Sequence, residues 1–537
     1  MFISKKIDKY LGFFCVILIV AFILMPQLKY YSIHTGVADL GFFLAGLYKV
    51  NTQWPLIFYG HVQPYMYIYG LLFKVFPNNF VPFVLLALQS FSIIISILLM
   101  KKYYGNLAGI ALLLYSPIWA NNLFDFHFDH IAILLLATFF VGCKTKRYAL
   151  AACSALLLCF VKEVFALEAA VCGVYLIIEF YKSTSITERL RRFLISILII
   201  SFACSWFFFS ILFLLPYFSD SGKTILEGGA FSWLGNGIKE IISTIVFNPT
   251  QILLEILSRP KKILYIAVLL GPFIFIPLLK PLPLLVGAPI FMISMLSQQS
   301  NFYDYNAHYS SGLIIPIVVA FVEGVELLKK RYNSYSGKVI RMGSLNYLNN
   351  FEIINFLLIC WLIIFQIIVG ISPISRLFWS NKIWSLNYHA YISSTRDSII
   401  RDSIEKYIPS VDHLIVSSQN NINYLPLAIR QNLLIFPGGV TDPHILTNWD
   451  QKTFSGFLGF VKGQVAIHSP DQLAYADFVL IDTKRPYFIY DLGCDTSYNI
   501  CFNKKIENIY IYSIHNLEIK YQLLYEYDGF KIYKIKK

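Results

Sequence analysis

Hydrophobic stretches long enough to cross a bilayer recur along this chain from Leu11 onward, and they limit its fold more than any other feature. The chain has 537 residues, of which 57% are hydrophobic and 14% charged, and its mean hydropathy is +0.61. A water-soluble core cannot enclose so many apolar side chains, so a membrane must be the main solvent. The first stretch reaches Lys29 without the small residues of a signal-peptide cleavage site, and we expect it to stay as a span.

The net charge of +13 is concentrated in short clusters of Lys and Arg between the apolar stretches. The clusters are Lys5/Lys6/Lys9, Lys101/Lys102, Lys144/Lys146/Arg147, Arg189/Arg191/Arg192 and Lys329/Lys330/Arg331 with Lys338 and Arg341. Such spacing is typical of the cytoplasmic loops of a membrane protein and not of a nucleic-acid-binding stripe. We therefore predict an integral protein of a bacterial inner membrane, with membrane lipids and no nucleic acid as partners.

One threading of the chain puts all of these basic clusters in the cytoplasm. It predicts about eleven transmembrane helices, near residues 11–28, 81–99, 106–118, 131–142, 149–161, 164–180, 193–215, 263–279, 282–297, 311–328 and 354–371. The N-terminus is then cytoplasmic, and the C-terminus is periplasmic or extracellular. The outer segments are the long loop 29–80, the turn 119–130 and the loops 216–262 and 298–310.

The composition changes near residue 372, which divides an all-α polytopic membrane domain (1–372) from a small extracytoplasmic α/β domain (373–537). In the second domain we expect strands over 412–418, 432–437 and 478–484, a helix over 396–407, and a closing hairpin around Asp528-Gly529. In the outer loop 29–80, the runs 40–50 and 65–76 predict helices that lie in the membrane interface. Only Cys494 and Cys501 share a polar context, so we expect a disulfide there in an oxidising compartment.

Ionisable groups at membrane depth are costly, and those of this chain collect near the predicted outer face. They are Asp39, His61, Asp125, His127, Asp129, His130, Lys162, Glu163, Glu168, Asp304 and His308. We expect them to meet in one water-accessible cavity, where opposite charges compensate one another. Asp39 precedes an amphipathic run and is either the N-cap of a helix or a general base that takes a proton from an acceptor hydroxyl.

The segment from Asp125 to His130 carries two acids and two histidines within six residues. If a helix continued through it, Asp125 and Asp129 would share one face and His127 would share another with His130. Either pair could hold a divalent metal, whereas a wet loop would show the same composition. The sequence leaves both interpretations open.

Two adjacent pairs complete the candidate site. Lys162 is either an interfacial lysine that reaches water beside a solvated Glu163, or a point charge that holds a phosphate. Because neighbouring residues on a helix do not face each other, the Lys and the Glu should serve different partners. His308 and Tyr309 are either interfacial aromatic residues or part of the same site.

The order of these residues resembles the polytopic family called domain of unknown function 2079, which is grouped with the GT-C glycosyltransferases that use lipid-linked sugar donors. The landmarks, within about residues 35–330, are Asp39-Leu40-Gly41, Gly60-His61 with Pro64, Asn122 to His127, Lys162-Glu163 and His308-Tyr309. The chain has Phe128, Asp129 and Val164 where the family usually has Pro, Glu and Asp, so roles at these three positions do not transfer.

The resemblance implies an inverting, GT-C-like transferase that moves a sugar from a polyprenyl-phosphate donor to a lipid, glycan or protein hydroxyl at the outer face. The candidate catalytic residues are Asp39 and Asp125, and the candidate substrate-binding residues are His61, His127, Lys162, Glu163, His308 and Tyr309. The alternative is a non-catalytic transporter or assembly component for a lipid-linked glycan, in which the same charges line a path.

Overall fold

A computed structural model describes most of the chain, in ten stretches. These are residues 2–50, 61–180, 186–218, 230–339 except 232 and 236, 350–380, 386–409, 411–424 except 412 and 413, 432–440 except 437, 475–485 and 513–536. Cys494 and Cys501 lie outside the described residues, so their disulfide stays a prediction.

Helices make up the first part of the chain. They are α1 (Phe2–Tyr31), α2 (Phe42–Lys49), α3 (Tyr65–Gly70), α4 (Leu72–Val75), α5 (Val81–Tyr104), α6 (Asn106–Leu113), α7 (Ser116–Leu123), α8 (Asp129–Lys144), α9 (Tyr148–Leu158), α10 (Glu163–Phe180), α11 (Ile186–Phe209), α12 (Leu215–Phe218), α13 (Ile238–Phe247), α14 (Pro249–Leu257), α15 (Pro260–Leu270), α16 (Pro281–Leu296), α17 (Ser311–Val339) and α18 (Asn350–Val369). Each of the predicted spans overlaps at least one of them.

Four helical stretches are long and apolar enough to cross a bilayer unaided: Tyr10–Tyr31, Asn78–Tyr104, Arg189–Tyr217 and His308–Tyr332. The other predicted spans are shorter or broken, and proline interrupts two of them. Pro117 restarts the helix after α6, and Pro272 and Pro277 lie in the 3₁₀ turns that follow α15. The mostly helical architecture is confirmed, and the number of crossings stays a prediction.

The predicted loop 216–262 contains two apolar helices that sequence reasoning missed. Helices α13 and α14 meet at 85° across Asn248, and Pro249 begins the second of them. A proline at the first helical position loses no hydrogen bond that the helix would otherwise make, so the chain turns there and starts a new helix. Ile252 of this bent pair packs in one apolar cluster with Leu296 and Phe302.

Helix α17 is the centre of the bundle. The apolar stretch that includes it is 78% buried inside the protein, whereas the stretches of α1 and α11 are each 22% buried. Helix α17 packs against α8 and α16, α10 packs against α11 and α16, and α5 packs against α8. Helix α17 begins at Ser311. His308, in the turn directly before it, therefore lies among the helix ends that carry the other site residues.

The C-terminal part forms the small sheet that the sequence predicts. Its elements are α19 (Thr395–Tyr407), β1 (Ile415–Ser418), β2 (Asn432–Ile435), β3 (Phe478–Asp482), β4 (Tyr521–Tyr527) and β5 (Phe530–Ile535), with a helix over 513–520. The strand order is β2-β1-β3-β5-β4, with β1 parallel to β2 and β3 and with β5 antiparallel to β3 and β4. Asp528 and Gly529 close the last hairpin with φ of 48° and 86°, as the dipeptide predicts.

Candidate functional site

Asp39 lies in a π-helical turn, Val37–Gly41, between α1 and α2. Its Oδ1 is 3.3 Å from His127 Nε2, and the residue is 9% exposed. Its Oδ2 is buried and, within the described residues, has no hydrogen-bond partner. Neither this turn nor α2 receives a hydrogen bond from a capping side chain, so the N-cap interpretation finds no support. One oxygen of the carboxylate therefore contacts a histidine, and the other makes no hydrogen bond to the described residues.

Two histidines continue the site from Asp39. The rings of His127 and His308 are stacked with their centroids 3.6 Å apart, and His308 also lies against Tyr309, at 4.2 Å. Nδ1 of each histidine is buried, and in the described part of the chain neither has a hydrogen-bond partner. Tyr309 accepts a hydrogen bond from Asn301, which fixes its hydroxyl at 3.2 Å from that amide. Residues from the turn before α17 and from the turn before α8 therefore form one continuous group.

Asp125 is held by structural contacts. Its Oδ1 is 2.7 Å from Lys29 Nζ, and its Oδ2 accepts a hydrogen bond from the Gly36 backbone at 2.6 Å. Lys29 also donates to the Leu123 carbonyl at 3.0 Å and to the Phe124 carbonyl at 2.8 Å, so its three donors are all used. Burial raises the pKa of Asp125 to about 6, against the attraction of Lys29. Through Gly36, Asp125 ties the Asp39 segment to the turn before α8.

The segment from Asp125 to His127 is not helical, because α7 ends at Leu123 and α8 begins at Asp129. The two acids therefore do not share a helix face, and neither do the two histidines. Gln89 holds the segment open by accepting from the His127 backbone at 3.1 Å and donating to the Asp125 carbonyl at 2.9 Å. Among the described residues, no group of three or more His, Cys, Asp or Glu side chains is arranged to hold a metal ion.

Lys162 and Glu163 serve different partners, as their adjacency predicts. Lys162 Nζ is 3.6 Å from Asp129 Oδ2, and both side chains are nearly inaccessible to water. Glu163 accepts from His61 Nδ1 at 2.7 Å and from the Val62 backbone at 2.9 Å. Burial opposes ionisation of Glu163, but His61 and the backbone bond outweigh it, so its pKa lies below the ordinary value. Lys162 is thus buried in the site and does not extend into water.

The C-terminal domain touches the segment that carries Asp39. The Val37 backbone donates to the Asn420 carbonyl at 2.6 Å, and Asn423 donates to Thr35 at 3.3 Å. Arg485 donates to the Ile33 carbonyl and, at 2.8 Å, to that of Asn421. Arg485 is itself fixed at 2.8 Å from Asp397. The loop after β1 and the end of β3 therefore cover the turn that holds the acid.

The profile of the family described as "Predicted membrane protein (DUF2079)" matches residues 42–348. The chain belongs to this family. The family resemblance read from the sequence is thus confirmed, and His61, His127, Lys162, Glu163, His308 and Tyr309 lie inside the matched stretch of this DUF2079 protein, whereas Asp39 lies just before it. No curated protein sequence matches the chain.

Solved structures similar to this DUF2079 chain include two that hold a lipid phosphate. ArnT from Cupriavidus metallidurans bound to undecaprenyl phosphate has 11% identity and a TM-score of 0.44, with 98% of both chains covered. Archaeal oligosaccharyltransferase AglB from Archaeoglobus fulgidus, in complex with an inhibitory peptide and a dolichol-phosphate, has 9% identity and a TM-score of 0.38, with 99% of this chain and 75% of that chain covered. Both TM-scores are low.

Sequence reasoning missed the residues that position the site of this DUF2079 protein. Lys29 has the sequence context of an ordinary basic residue at the end of a span, and only its tertiary position makes it the partner of Asp125. Gln89 lies within the apolar α5, where a lone amide between hydrophobic residues is a usable signal of a buried polar contact. Nothing local marks Arg485 as a contact of the first outer loop.

Proposed function

We propose that this chain is a membrane glycosyltransferase that moves a sugar from a polyprenyl-phosphate donor to an acceptor hydroxyl at the outer face of the membrane. Asp39 is the general base, and Lys162 holds the phosphate. The observation that carries the proposal is the Asp39 carboxylate, which is nearly buried with Oδ1 on His127 and with Oδ2 unpartnered among the described residues. A buried carboxylate oxygen without a donor is destabilised, and an acceptor O–H is a group that would satisfy it.

The proposed reaction is one displacement at the anomeric carbon. The acceptor oxygen forms a bond to that carbon while the bond from the carbon to the phosphate oxygen breaks. The acceptor proton passes to Asp39, and the bonding electron pair leaves with the phosphate, whose charge Lys162 balances. Attack from the side opposite the leaving group inverts the anomeric configuration.

His127 supports the base in this proposal by contacting Asp39 Oδ1 and fixing which oxygen faces the acceptor. The stacked His308 holds the ring of His127 in place from the other side. Asp125, which the sequence suggests as catalytic, has both oxygens engaged by Lys29 and Gly36, so we assign it a positioning role. His61 and Glu163 form a pair at the start of α10, where the half-exposed His61 ring is available to a donor sugar or phosphate.

The experiment that tests the base is Asp39→Asn in a membrane assay with radiolabelled polyprenyl-phosphate sugars. The amide keeps the shape of the acid but does not accept a proton at neutral pH, so we expect transfer to fall at least about 100-fold with little change in melting temperature. The matched control is Asp304→Asn, another acid-to-amide change in an outer segment, whose carboxylate accepts a local bond from the Asn306 backbone. Full transfer by Asp39→Asn removes the proposed base.

Lys162→Ala tests the phosphate contact separately from the base. If Lys162 holds the donor phosphate, its loss raises the KM for the donor more than it lowers kcat, because the contact is made before the transition state as well as in it. Measuring both constants over a range of donor concentrations decides this. A fall in kcat with unchanged KM would mean that Lys162 acts only on the transition state, and no change in either constant would leave Lys162 as a structural partner of Asp129.

One observation favours the alternative function, a transporter or assembly component. Glu168 in α10 is fully buried, and both of its carboxyl oxygens lack a hydrogen-bond partner within the described residues. A Cβ on Gly312 would lie 2.5 Å from Glu168 Oε2, so the carboxyl group packs against the first turn of α17. Unpaired acids at membrane depth are typical of ion or proton paths. Sugar transfer by the purified chain would exclude transport as its sole function.

A further inference from the structure

A charged cavity lined by described residues lies far from Asp39, at the other end of the helices. Helix α8 begins at Asp129, beside the candidate site, and after 16 residues it reaches Lys144, which lines the cavity. At ~1.5 Å per residue the two sites are about 24 Å apart, close to the thickness of the hydrocarbon core. Helix α10 runs in the same sense, from Glu163 to Glu179. The threading places this end of the bundle in the cytoplasmic leaflet.

This cavity has a volume of about 590 Å³ and an excess of positive charge. Its charged lining residues are Lys144, Lys146, Arg192, Lys280, Lys330, Glu179, Glu323 and Glu326. The five basic residues exceed the three acidic ones, and they come from three of the basic clusters and from the start of α16. Charges that only set the topology could lie anywhere on the cytoplasmic rim, so their convergence around one concave space requires a further reason.

Aromatic rings hold two of these cations in place at the cavity. Lys144 Nζ lies 4.1 Å from the centre of the Tyr104 ring, and the Arg192 guanidinium lies 4.1 Å from the centre of the Tyr148 ring. Tyr104 is itself fixed, because its hydroxyl donates to the Phe140 carbonyl at 3.1 Å. Such contacts reduce the freedom of long side chains and leave their charges directed at a fixed space, which favours binding of an anion.

The surroundings of the cavity decide between a lipid and a soluble anion. Large apolar side chains are exposed on the same helices that line it. They are Leu150 on α9, Ile178 on α10, Leu190 on α11 and Leu328 on α17. In a bilayer these side chains contact acyl chains, so a phospholipid can leave its tails in the membrane while its headgroup enters the cavity. A soluble phosphate would gain nothing from this apolar border.

We propose that this cavity binds the phosphodiester headgroup of an anionic glycerophospholipid from the leaflet opposite Asp39. The basic lining residues neutralise the phosphate, and the three carboxylates keep the excess charge small enough for one headgroup. This lipid site is independent of sugar transfer, and its occupation ties the cytoplasmic ends of α8, α10, α11 and α17 together.

Native mass spectrometry of the full chain tests the proposal, after extraction from nanodiscs of phosphatidylcholine with a minor fraction of phosphatidylglycerol. The wild-type protein should retain phosphatidylglycerol, and Lys144→Gln/Lys330→Gln should bind it roughly 30-fold more weakly, which is about 2 kcal/mol or about 1 kcal/mol for each charge. The matched control is Lys101→Gln/Lys102→Gln. It removes two charges from the same predicted face but outside the cavity, and it should retain the lipid.

Several results would overturn the proposal. Equal loss in the two double variants would mean that surface charge alone attracts the lipid, and unchanged retention in both would mean that the cavity binds none. Displacement of phosphatidylglycerol by inorganic phosphate as readily as by short-chain phosphatidylglycerol would identify a soluble anion as the ligand. A melting curve for each variant identifies any loss that comes from unfolding, and a Lys146→Gln/Lys280→Gln variant then repeats the test at other lining residues.

Discussion

At the scale of single residues, burial decides how much each ion pair contributes. The Lys29–Asp125 pair is 1% exposed on both sides, whereas the Lys531–Glu526 pair of the last hairpin is 29% and 47% exposed. Water screens the exposed Lys531–Glu526 pair, so this pair contributes little to the free energy of unfolding. Removal of one partner from the buried Lys29–Asp125 pair would leave an unpaired charge in an apolar environment. The same physical rule makes the unpartnered oxygen of Asp39 informative, because a buried acceptor without a donor is rare in a stable structure.

Asp125→Asn should lower the free energy of unfolding by about 3–5 kcal/mol, because Lys29 keeps its charge but loses its contact with this carboxylate. Glu526→Gln, the exposed counterpart, should change it by less than about 1 kcal/mol. Thermal unfolding in detergent measures both. The double variant Lys29→Met/Asp125→Asn should recover part of the lost free energy of unfolding, because it no longer holds an unpaired charge. If the double variant loses more free energy of unfolding than the single changes Lys29→Met and Asp125→Asn added together, the pairing is contradicted.

At the scale of elements, the C-terminal part contacts the segment that leads to Asp39 through residues that include Arg485, Arg401 and the loop after β1. Arg485 joins three pieces of chain: the Ile33 carbonyl after α1, the Asn421 carbonyl after β1, and Asp397 in α19. Arg396 lies in the same domain and makes two hydrogen bonds of 2.8 Å to Asp482, but none of its recorded contacts reaches the first outer loop. Variants of Arg485 and Arg396 can therefore distinguish an effect on the position of Asp39 from an effect on the stability of the C-terminal domain.

Arg485→Gln should lower sugar transfer at least about tenfold at equal folded fraction, because the Asp39 turn loses a support that fixes its orientation. Arg396→Gln should affect stability of the domain but leave the rate per folded molecule near that of the parent. Transfer assays corrected by the folded fraction, measured by size-exclusion chromatography, compare the two. Equal rates per folded molecule would limit Arg485 to a structural role within its own domain.

At the scale of the whole molecule, two features lie at opposite ends of the helix bundle. The first is the acidic and histidine-rich cluster under the C-terminal sheet, and the second is the basic cavity at the far ends of α8, α10 and α17. This separation agrees with the threading, which places the acidic end outside and the basic end in the cytoplasm. The orientation of the protein in the membrane therefore determines which side of the membrane each of the two sites faces.

Labelling of introduced cysteines tests that orientation. Lys536→Cys, in the C-terminal domain, should react with a membrane-impermeant maleimide in cells whose inner membrane is intact. Lys102→Cys, at the end of α5, should react only after that membrane is permeabilised. The parent protein, labelled in parallel, gives the background from native cysteines such as the exposed Cys153. The reverse pattern would invert the threading and place the proposed base in the cytoplasm.

The sequence by itself determined most of the elements. The apolar stretches gave helices close to their predicted places, and the alternating runs near 415, 433 and 480 gave β1, β2 and β3, because hydrophobic periodicity and turn residues act locally. The local sequence pattern did not predict the backbone conformation where that conformation depends on contacts with residues distant in the sequence. The turn after α7 is not helical, and Gln89, Lys29 and Gly36 hold it from elsewhere in the chain.

Only the tertiary structure decided which polar residues meet. Asp39 and His127 are 88 positions apart in the sequence and 3.3 Å apart in space, and Arg485 reaches Ile33 from the far end of the chain. Such contacts depend on how helices and domains pack, and no local sequence signal carries that information. Side-chain chemistry near the outer face can therefore be foreseen from composition and spacing, whereas the pairing that leaves one oxygen of Asp39 available is set by the fold.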